Sequence, residues 1–359
     1  MVSAAGQPER RRSRRVRAGS LVIGGGAPVS VQSMTKTDPL DVRATLAQVR
    51  RLAAAGAEIV RLTVPSFPAA AAFAKVRKSS PVPLVADTHF DPRLALAALD
   101  AGADKVRVNP GNTRSTALRD FARESGRRKV PVRIGVNSGS VYTRSGRGRD
   151  LAADMVRAAL DGARRFEDWG QPQIVLSMKA PTVADTVRAY RLAAEKCDYP
   201  LHLGVTAAGP ADLAAAKSFA ALGALLVDGL GDTLRLSFTG DPLAEVLAGR
   251  TLLAALGLRR EGPEILSCPT CGRCRINLER LVARVRRGLE GVKAPLTVAV
   301  MGCVVNGPGE ASAADVGLAG TPNGAVLFAA GRKLRRVRGE RAMVAALLRE
   351  VRKLARRRR

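Results

Sequence analysis

The chain has 359 residues, 46% of them hydrophobic and only 3% aromatic, and its formal net charge is +28. That length exceeds one small domain and fits a barrel-sized domain plus one of about 100 residues. The scarcity of aromatic rings argues against the stacking platforms that bind single-stranded nucleic acid, and no run approaches the length of apolar chain needed to span a membrane.

Arginine is concentrated at the two ends, at Arg10, Arg11, Arg12, Arg14, Arg15 and Arg17, and again at Arg352 and Arg356 to Arg359. Such runs read as solvated tails. A basic surface would also attract an acidic protein partner or an anionic substrate. Five cysteines, four of them clustered, argue against a disulfide framework and fit a reducing cytoplasm. The apolar stretch after the first arginines, Leu21 to Pro28, is short and broken by glycines, so no signal peptide is expected.

In chain order, residues 1–20 form the basic tail and Leu21 to Pro28 a hairpin-like start. A repeating pattern follows, in which a short β-branched run leads to a polar loop and an alanine-rich helix. The expected strands are Val29–Met34, Ile59–Val64, Leu84–His89, Lys105–Asn109, Val132–Asn137, Ile174–Lys179, Leu201–Thr206 and Ala224–Asp228. Helices are expected over Asp41–Ala55, Phe67–Arg77, Pro92–Ala101, Ala152–Trp169, Val183–Lys196 and Ala211–Leu222, with Gly56, Gly102 and Gly223 as stop signals. Eight strands alternating with helices predict a (β/α)₈ TIM-type barrel over 21–262. A doubly wound open sheet is the alternative, weakened by the lack of a Gly-x-Gly-x-x-Gly turn after the first strand.

Several strands end in polar residues spaced two apart, which places them on one face. These are Arg61 and Thr63, Asp87 and His89, Arg107 and Asn109, Arg133 and Asn137, Ser177 and Lys179, and beyond strand eight Arg235 and Ser237. At the carboxyl end of a barrel such a set points into the mouth. Many cations with two asparagines and few acids describe a pocket for a multiply charged anion, most simply a diphosphate. His202, at the far end of its strand, reads as structural, and Cys197 as an isolated thiol.

A second α/β domain, 263–359, follows a linker at Glu261-Gly-Pro263. It holds a helix over Leu278–Gly288, strands at Leu296–Met301 and Gly324–Phe328, and a last helix near Glu340–Leu354. Its centre is Cys268-Pro-Thr-Cys271-Gly-Arg-Cys274, answered by Gly302-Cys303-Val-Val-Asn306-Gly-Pro-Gly-Glu310. Pro269 fixes one backbone angle and Gly272 is expected to relax another, so that two thiolates converge. The set suits tetrahedral zinc or an iron–sulfur cluster. A single cysteine in the second half leans towards a cluster, with Glu310 or Cys274 as the fourth ligand.

The two cysteine strings resemble the signature of the 4-hydroxy-3-methylbut-2-enyl diphosphate synthase family. Agreement extends through Val31-Gln-Ser-Met-Thr35, Ile59-Val-Arg-Leu-Thr-Val-Pro65, Val85-Ala-Asp-Thr-His-Phe-Asp91, Arg107-Val-Asn-Pro-Gly-Asn112, Arg133-Ile-Gly-Val-Asn137 and Gly231-Asp-Thr-Leu-Arg235. The resemblance implies a dihydropteroate-synthase-like barrel joined to a [4Fe–4S] domain, in a homodimer where one subunit's cluster closes over the other's barrel. It also implies reductive ring opening of 2-C-methyl-D-erythritol 2,4-cyclodiphosphate, with flavodoxin or ferredoxin as electron donor. By position, Cys268, Cys271 and Cys303 would ligate the cluster with Glu310 as a displaceable fourth ligand. Arg61, Arg107, Asn109, Arg133, Asn137, Lys179, Arg235 and Ser237 would hold the diphosphate, and Asp87 and His89 would orient substrate or move protons.

Two positions depart from the family pattern. Thr206-Ala-Ala-Gly209 stands where the family reads Thr-Glu-Ala-Gly, so a mouth carboxylate is missing at Ala207, for which Asp228 is the expected substitute. Cys274 is an extra thiol, expected to be spare. The alternatives are a relative that binds a cyclic diphosphate but turns it over poorly, and a basic nucleic-acid-binding protein with structural zinc.

Overall fold

The computed structural model describes residues 9–88, 91–109, 116–139, 141, 150–206, 209–259, 262–305 and 314–358. They form two compact units that divide between Arg259 and Arg260. His89, Ala207, Asn306 and Glu310 lie outside the described residues.

The first unit is the barrel. After a small antiparallel hairpin, β1 (Val16–Ala18) and β2 (Leu21–Ile23), its strands are β3 (Ser30–Met34), β4 (Ile59–Thr63), β5 (Leu84–Asp87), β6 (Lys105–Val108), β7 (Val132–Asn137), β8 (Ile174–Lys179), β9 (His202–Leu203) and β10 (Thr233–Leu234). All neighbours are parallel, in the order β8-β7-β6-β5-β4-β3-β10-β9. A parallel bridge from Leu176 to Leu201 joins the two ends and closes the ring.

Helices alternate with these strands: α1 (Val42–Ala54), α2 (Phe67–Ser79), α3 (Pro92–Asp100), α4 (Thr116–Arg127), α5 (Leu151–Asp168), α6 (Val183–Lys196), α7 (Ala211–Val227) and α8 (Pro242–Ala255). Short polar caps start most of them. Asp41, Ser66, Asp91, Asp150, Thr182 and Asp241 each accept from a backbone N–H of the first turn. Each such helix follows a strand, so its positive dipole end lies on the mouth side and favours an anion there.

The eighth strand differs from expectation. Ala224–Asp228 is not a strand but the end of α7, whose Leu222, Leu225 and Leu226 are buried against the barrel. The helix runs through Gly223 and stops at Gly229, which takes φ +75°. An apolar run of this length is ambiguous between a buried strand and a buried helix, and strand eight is instead the short Thr233–Leu234.

Arg10, Arg11 and Arg14 differ from a solvated tail, whereas Arg12, Arg15 and Arg17 are exposed as expected. Arg10 donates to Ala27 O and to Asp232 Oδ1, the latter at 3.0 Å. Arg11 donates to Cys197 O and Tyr199 O, and Arg14 pairs with Glu167 and Asp198. Above them Val16, Ala18 and Ile23 pack on Ile59, Val85 and Val175, so the hairpin plugs the barrel floor. Peptide carbonyls and carboxylates at that end give the guanidinium groups a use that a charge count does not reveal.

The second unit carries a five-stranded sheet, β11 (Glu264–Ser267), β12 (Thr297–Met301), β13 (Val316–Thr321), β14 (Gly324–Ala329) and β15 (Arg332–Val337), in that order. The first three are parallel and the last two antiparallel. Helices α9 (Leu278–Gly288) and α10 (Glu340–Arg357) cover one face through Leu281, Val285, Met343, Leu347 and Val351. At the carboxyl end Arg352, Arg356 and Arg357 lie in α10, and Arg358, which follows it, donates to Pro295 O and pairs with Asp315.

Candidate functional site: a cationic barrel mouth and a cysteine turn

Period-two alternation sorts each barrel strand into an outward face under the helices and an inward face. Inward lie Ser30, Gln32 and Met34 on β3, Arg61 and Thr63 on β4, Asp87 on β5, and Lys105 and Arg107 on β6. Arg133, Gly135 and Asn137 follow on β7, Ser177 and Lys179 on β8, His202 on β9, and Thr233 on β10, with Arg235 just beyond it. Register places Asp87 beside Arg107, Arg107 beside Arg133, and Asn137 beside Lys179. The sequence-expected cations are therefore brought together on one wall.

Asp87 is the hub of that wall. Its carboxylate lies 3.7 Å from Arg61 Nε and 3.5 Å from Arg107 Nη1, and it is buried. Arg61 also donates to Met34 Sδ at 2.8 Å. Arg235 leans on Glu245, 3.2 Å away at the start of α8, and that buried carboxylate also takes Lys36 and the Phe238 N–H. Burial, chiefly, pushes Arg107, Arg133 and Lys179 below their usual pKa ranges, and Arg235 down to about 10. Buried cations lacking matching anions are costly unless a ligand supplies the charge. Among the described residues, Arg133 Nε and Nη1 have no hydrogen-bond partner. A multiply charged anion would satisfy them.

Asn109 and Ser237, half-buried, extend the lines begun by Arg107 and Arg235 towards the mouth. His89 lies outside the described residues. Asp228 is a correction: it is exposed at the end of α7, pairs with Arg191 at 2.8 Å, and precedes strand eight, so it belongs to the floor end. It does not replace a mouth carboxylate at Ala207. Sequence reasoning passed over Lys105, although it stands two residues before Arg107, and Glu245, which in sequence looks like an ordinary acidic first turn of a helix.

The cysteine turn is built by two neighbouring parallel strands. Ser267 at the end of β11 is in register with Val300 near the end of β12, so Cys268 and Cys303 leave the same edge of the sheet. Gly302 N–H donates to Cys268 Sγ at 3.2 Å, Cys274 N–H to Cys271 O at 2.9 Å, and Arg275 N–H to Gly302 O at 2.9 Å. A Cβ on Gly302 would stand 2.7 Å from Cys274 Sγ and 3.4 Å from Cys268 Sγ, so only glycine leaves room for both sulfurs. The left-handed residue of the turn is Thr270 at φ +63°, not Gly272. A β-branched residue there is strained, a cost that the surrounding site must offset.

None of the four cysteines forms a disulfide, and hydrogen bonds to Arg273 push the exposed Cys271 thiol below its usual range. Cys274 Sγ is engaged by Ile276 O at 3.1 Å. No group of three metal-ligating side chains converges on a single-ion site among the described residues, and Glu310 lies outside them. Soft thiols on two adjacent turns, with an N–H aimed at one sulfur and a glycine clearing space, fit an iron–sulfur cluster by donor chemistry. Cys197 stands apart just past the end of α6, the pKa of its thiol raised by burial.

Fold and site thus define the class: a dihydropteroate-synthase-like barrel with a cationic mouth, followed by a cysteine-bearing α/β domain. Dihydropteroate synthases from Xanthomonas albilineans and Stenotrophomonas maltophilia superpose with TM-scores of 0.52 at 18% and 17% identity, over 68% of this chain and 97% and 98% of theirs. The GcpE TIM-barrel domain matches residues 13–250 and the GcpE protein C-terminal domain residues 264–353. The chain belongs to the GcpE family. It is 49% identical to 4-hydroxy-3-methylbut-2-en-1-yl diphosphate synthase (flavodoxin) of Geobacter sulfurreducens, covering 96% of this chain and 98% of that one. It is 47% identical to the protein of the same name from Salinispora tropica, over 96% and 90%. Neither alternative raised by the sequence, an impaired binder or a basic zinc protein, finds support in these matches.

Proposed function

We propose that this protein is a 4-hydroxy-3-methylbut-2-enyl diphosphate synthase. It takes 2-C-methyl-D-erythritol 2,4-cyclodiphosphate, two electrons and two protons to (E)-4-hydroxy-3-methylbut-2-enyl diphosphate and water. The observation that carries this is the pairing of a buried, anion-deficient cationic wall with a separate soft-thiol turn. One suits a diphosphate and the other suits a redox cluster.

In this reading Arg61, Arg107, Arg133, Lys179 and Arg235 neutralise the diphosphate, and Asn109, Asn137 and Ser237 donate hydrogen bonds to its oxygens. The chain's work is to position the C2–O bond for cleavage and to stabilise the diphosphate oxygen anion that forms as it breaks, the diphosphate staying attached through its other ester. Asp87 keeps the Arg61 and Arg107 forks aimed at the ligand, and His89 is assigned to moving the proton that leaves with the hydroxyl as water. Cys268, Cys271 and Cys303, with Glu310, would hold a [4Fe–4S] cluster, which supplies one-electron transfer and an exchangeable coordination position. Flavodoxin, named in the relatives, is the proposed donor, and the basic surface would speed its approach. A homodimer and a cytoplasmic setting complete the proposal. Among the described residues no helix is long and apolar enough to cross a membrane.

The test is the iron content and absorption spectrum of protein purified without oxygen. About four irons per chain, kept in Cys274→Ala, are expected. One zinc per chain, lost in Cys274→Ala, would refute the cluster. A second expectation concerns Gly204, where a Cβ would stand 2.6 Å from Lys179 Nζ. Gly204→Ala should displace that amine and raise KM about tenfold, the loss of roughly 1.4 kcal/mol of binding, with some loss of thermal stability because the Cβ also crowds Arg235 O at 3.0 Å. An unchanged KM would detach Lys179 from the substrate.

A further inference from the structure

Among the described residues, the charged and titratable side chains inside the barrel are Arg61 on β4, Asp87 on β5, Lys105 and Arg107 on β6, Arg133 on β7, Lys179 on β8, His202 on β9 and Arg235 after β10. Glu245 reaches in from α8 together with Lys36, and the Tyr190 hydroxyl of α6 donates to His202 O. Strand β3 adds only Ser30, Gln32 and Met34, and the floor beneath is the apolar hairpin packing on Ile59, Val85 and Val175. Among the described residues the cations are opposed by just two carboxylates, each already shared between two basic side chains.

Arginine keeps its proton in such surroundings, whereas lysine can release it. Lys105 is fully buried one side-chain layer below Arg107, and its Nζ finds no hydrogen-bond partner among the described residues. Lys179, also buried, sits against Gly204, in register with Asn137. We infer that Lys105 and Lys179 are neutral amines in the free barrel and that binding the cyclic diphosphate draws a proton onto them, coupling substrate binding to proton uptake. The inference rests on the function proposed above.

Burial, reinforced by Arg133 and Arg61, pushes both amines well below the usual lysine range. A dianion placed above them acts in the opposite direction and favours the ammonium forms. The ligand cannot be the source of the effect. In a cyclic 2,4-diphosphate each phosphorus carries one ester oxygen and one bridging oxygen, so only a strongly acidic ionisation remains on each, and the molecule is a fixed dianion near neutrality. The sign follows by linkage: a complex that binds more protons than its free components forms more tightly as pH falls.

Isothermal titration of the oxidised holoprotein with the cyclic diphosphate, in buffers of different ionisation enthalpy and without reductant, counts these protons. The expected result near pH 8 is uptake of about one proton per chain and a Kd that rises about tenfold per pH unit. Uptake should fall in Lys105→Met and in Lys179→Met. The wild-type buffer series decides the matter even if a variant does not fold. Binding with no uptake overturns the inference alone, as does uptake undiminished in both variants, which would point to a histidine, His89 or His202. No binding at all overturns the proposed function and the inference with it.

Discussion

Cys303→Ser is expected to yield a protein with a folded barrel, almost no iron and turnover reduced by at least about 10³-fold, the loss of roughly 4 kcal/mol of transition-state stabilisation. Serine offers a hard, weakly acidic oxygen where a soft thiolate is required. Cys303 shares its sheet edge with Cys268, so its loss would remove one of the two turns from the proposed cluster. The barrel should survive because its apolar core is separate from the cores of the second unit. Iron analysis with far-UV circular dichroism checks both halves. Iron retained in Cys303→Ser would remove that residue from the ligand set.

The second large effect is expected at Arg107. Arg107→Gln should lower kcat/KM about 10³-fold, mostly through KM, while iron content stays at the wild-type level. Truncating one partner of a buried charge pair costs about 2–5 kcal/mol in binding. Stability should move the other way or not at all. Removing Arg107 gives up its 3.5 Å contact with Asp87 but also ends the burial of its charge and the repulsion with Arg61 and Arg133, and Asp87 keeps Arg61 at 3.7 Å. Functional sites commonly sacrifice stability in this way. Steady-state kinetics beside a denaturant titration separate the two quantities. A large loss of stability with KM unchanged would make Arg107 a structural arginine.

Much of the barrel is legible in the chain because its strands are β-branched runs bounded by caps and glycines. Val132–Asn137 and Ile174–Lys179 are strands over the expected residues. The cationic wall is legible for the same reason that it works, since side chains two apart on parallel strands share a face. What escaped was decided by tertiary contact. The Ala-Leu-Leu-Val run before Asp228 suits a strand or a helix, and only packing makes it the last turn of α7. A strand ending there would put Asp228 at the mouth, whereas it pairs with Arg191 at the other end. Arginines 10, 11 and 14 look like tail until carbonyls and carboxylates distant in sequence come to meet them. Glu245 has no local signature, and its role depends wholly on Arg235 and Lys36.

Anaerobic turnover tests the proposed function most directly. Holoprotein is supplied with 2-C-methyl-D-erythritol 2,4-cyclodiphosphate and reduced flavodoxin, and both product and oxidised donor are counted. The account predicts (E)-4-hydroxy-3-methylbut-2-enyl diphosphate at two electrons per molecule, despite alanine at position 207. A fully iron-loaded protein that binds the cyclic diphosphate and forms no product would contradict it.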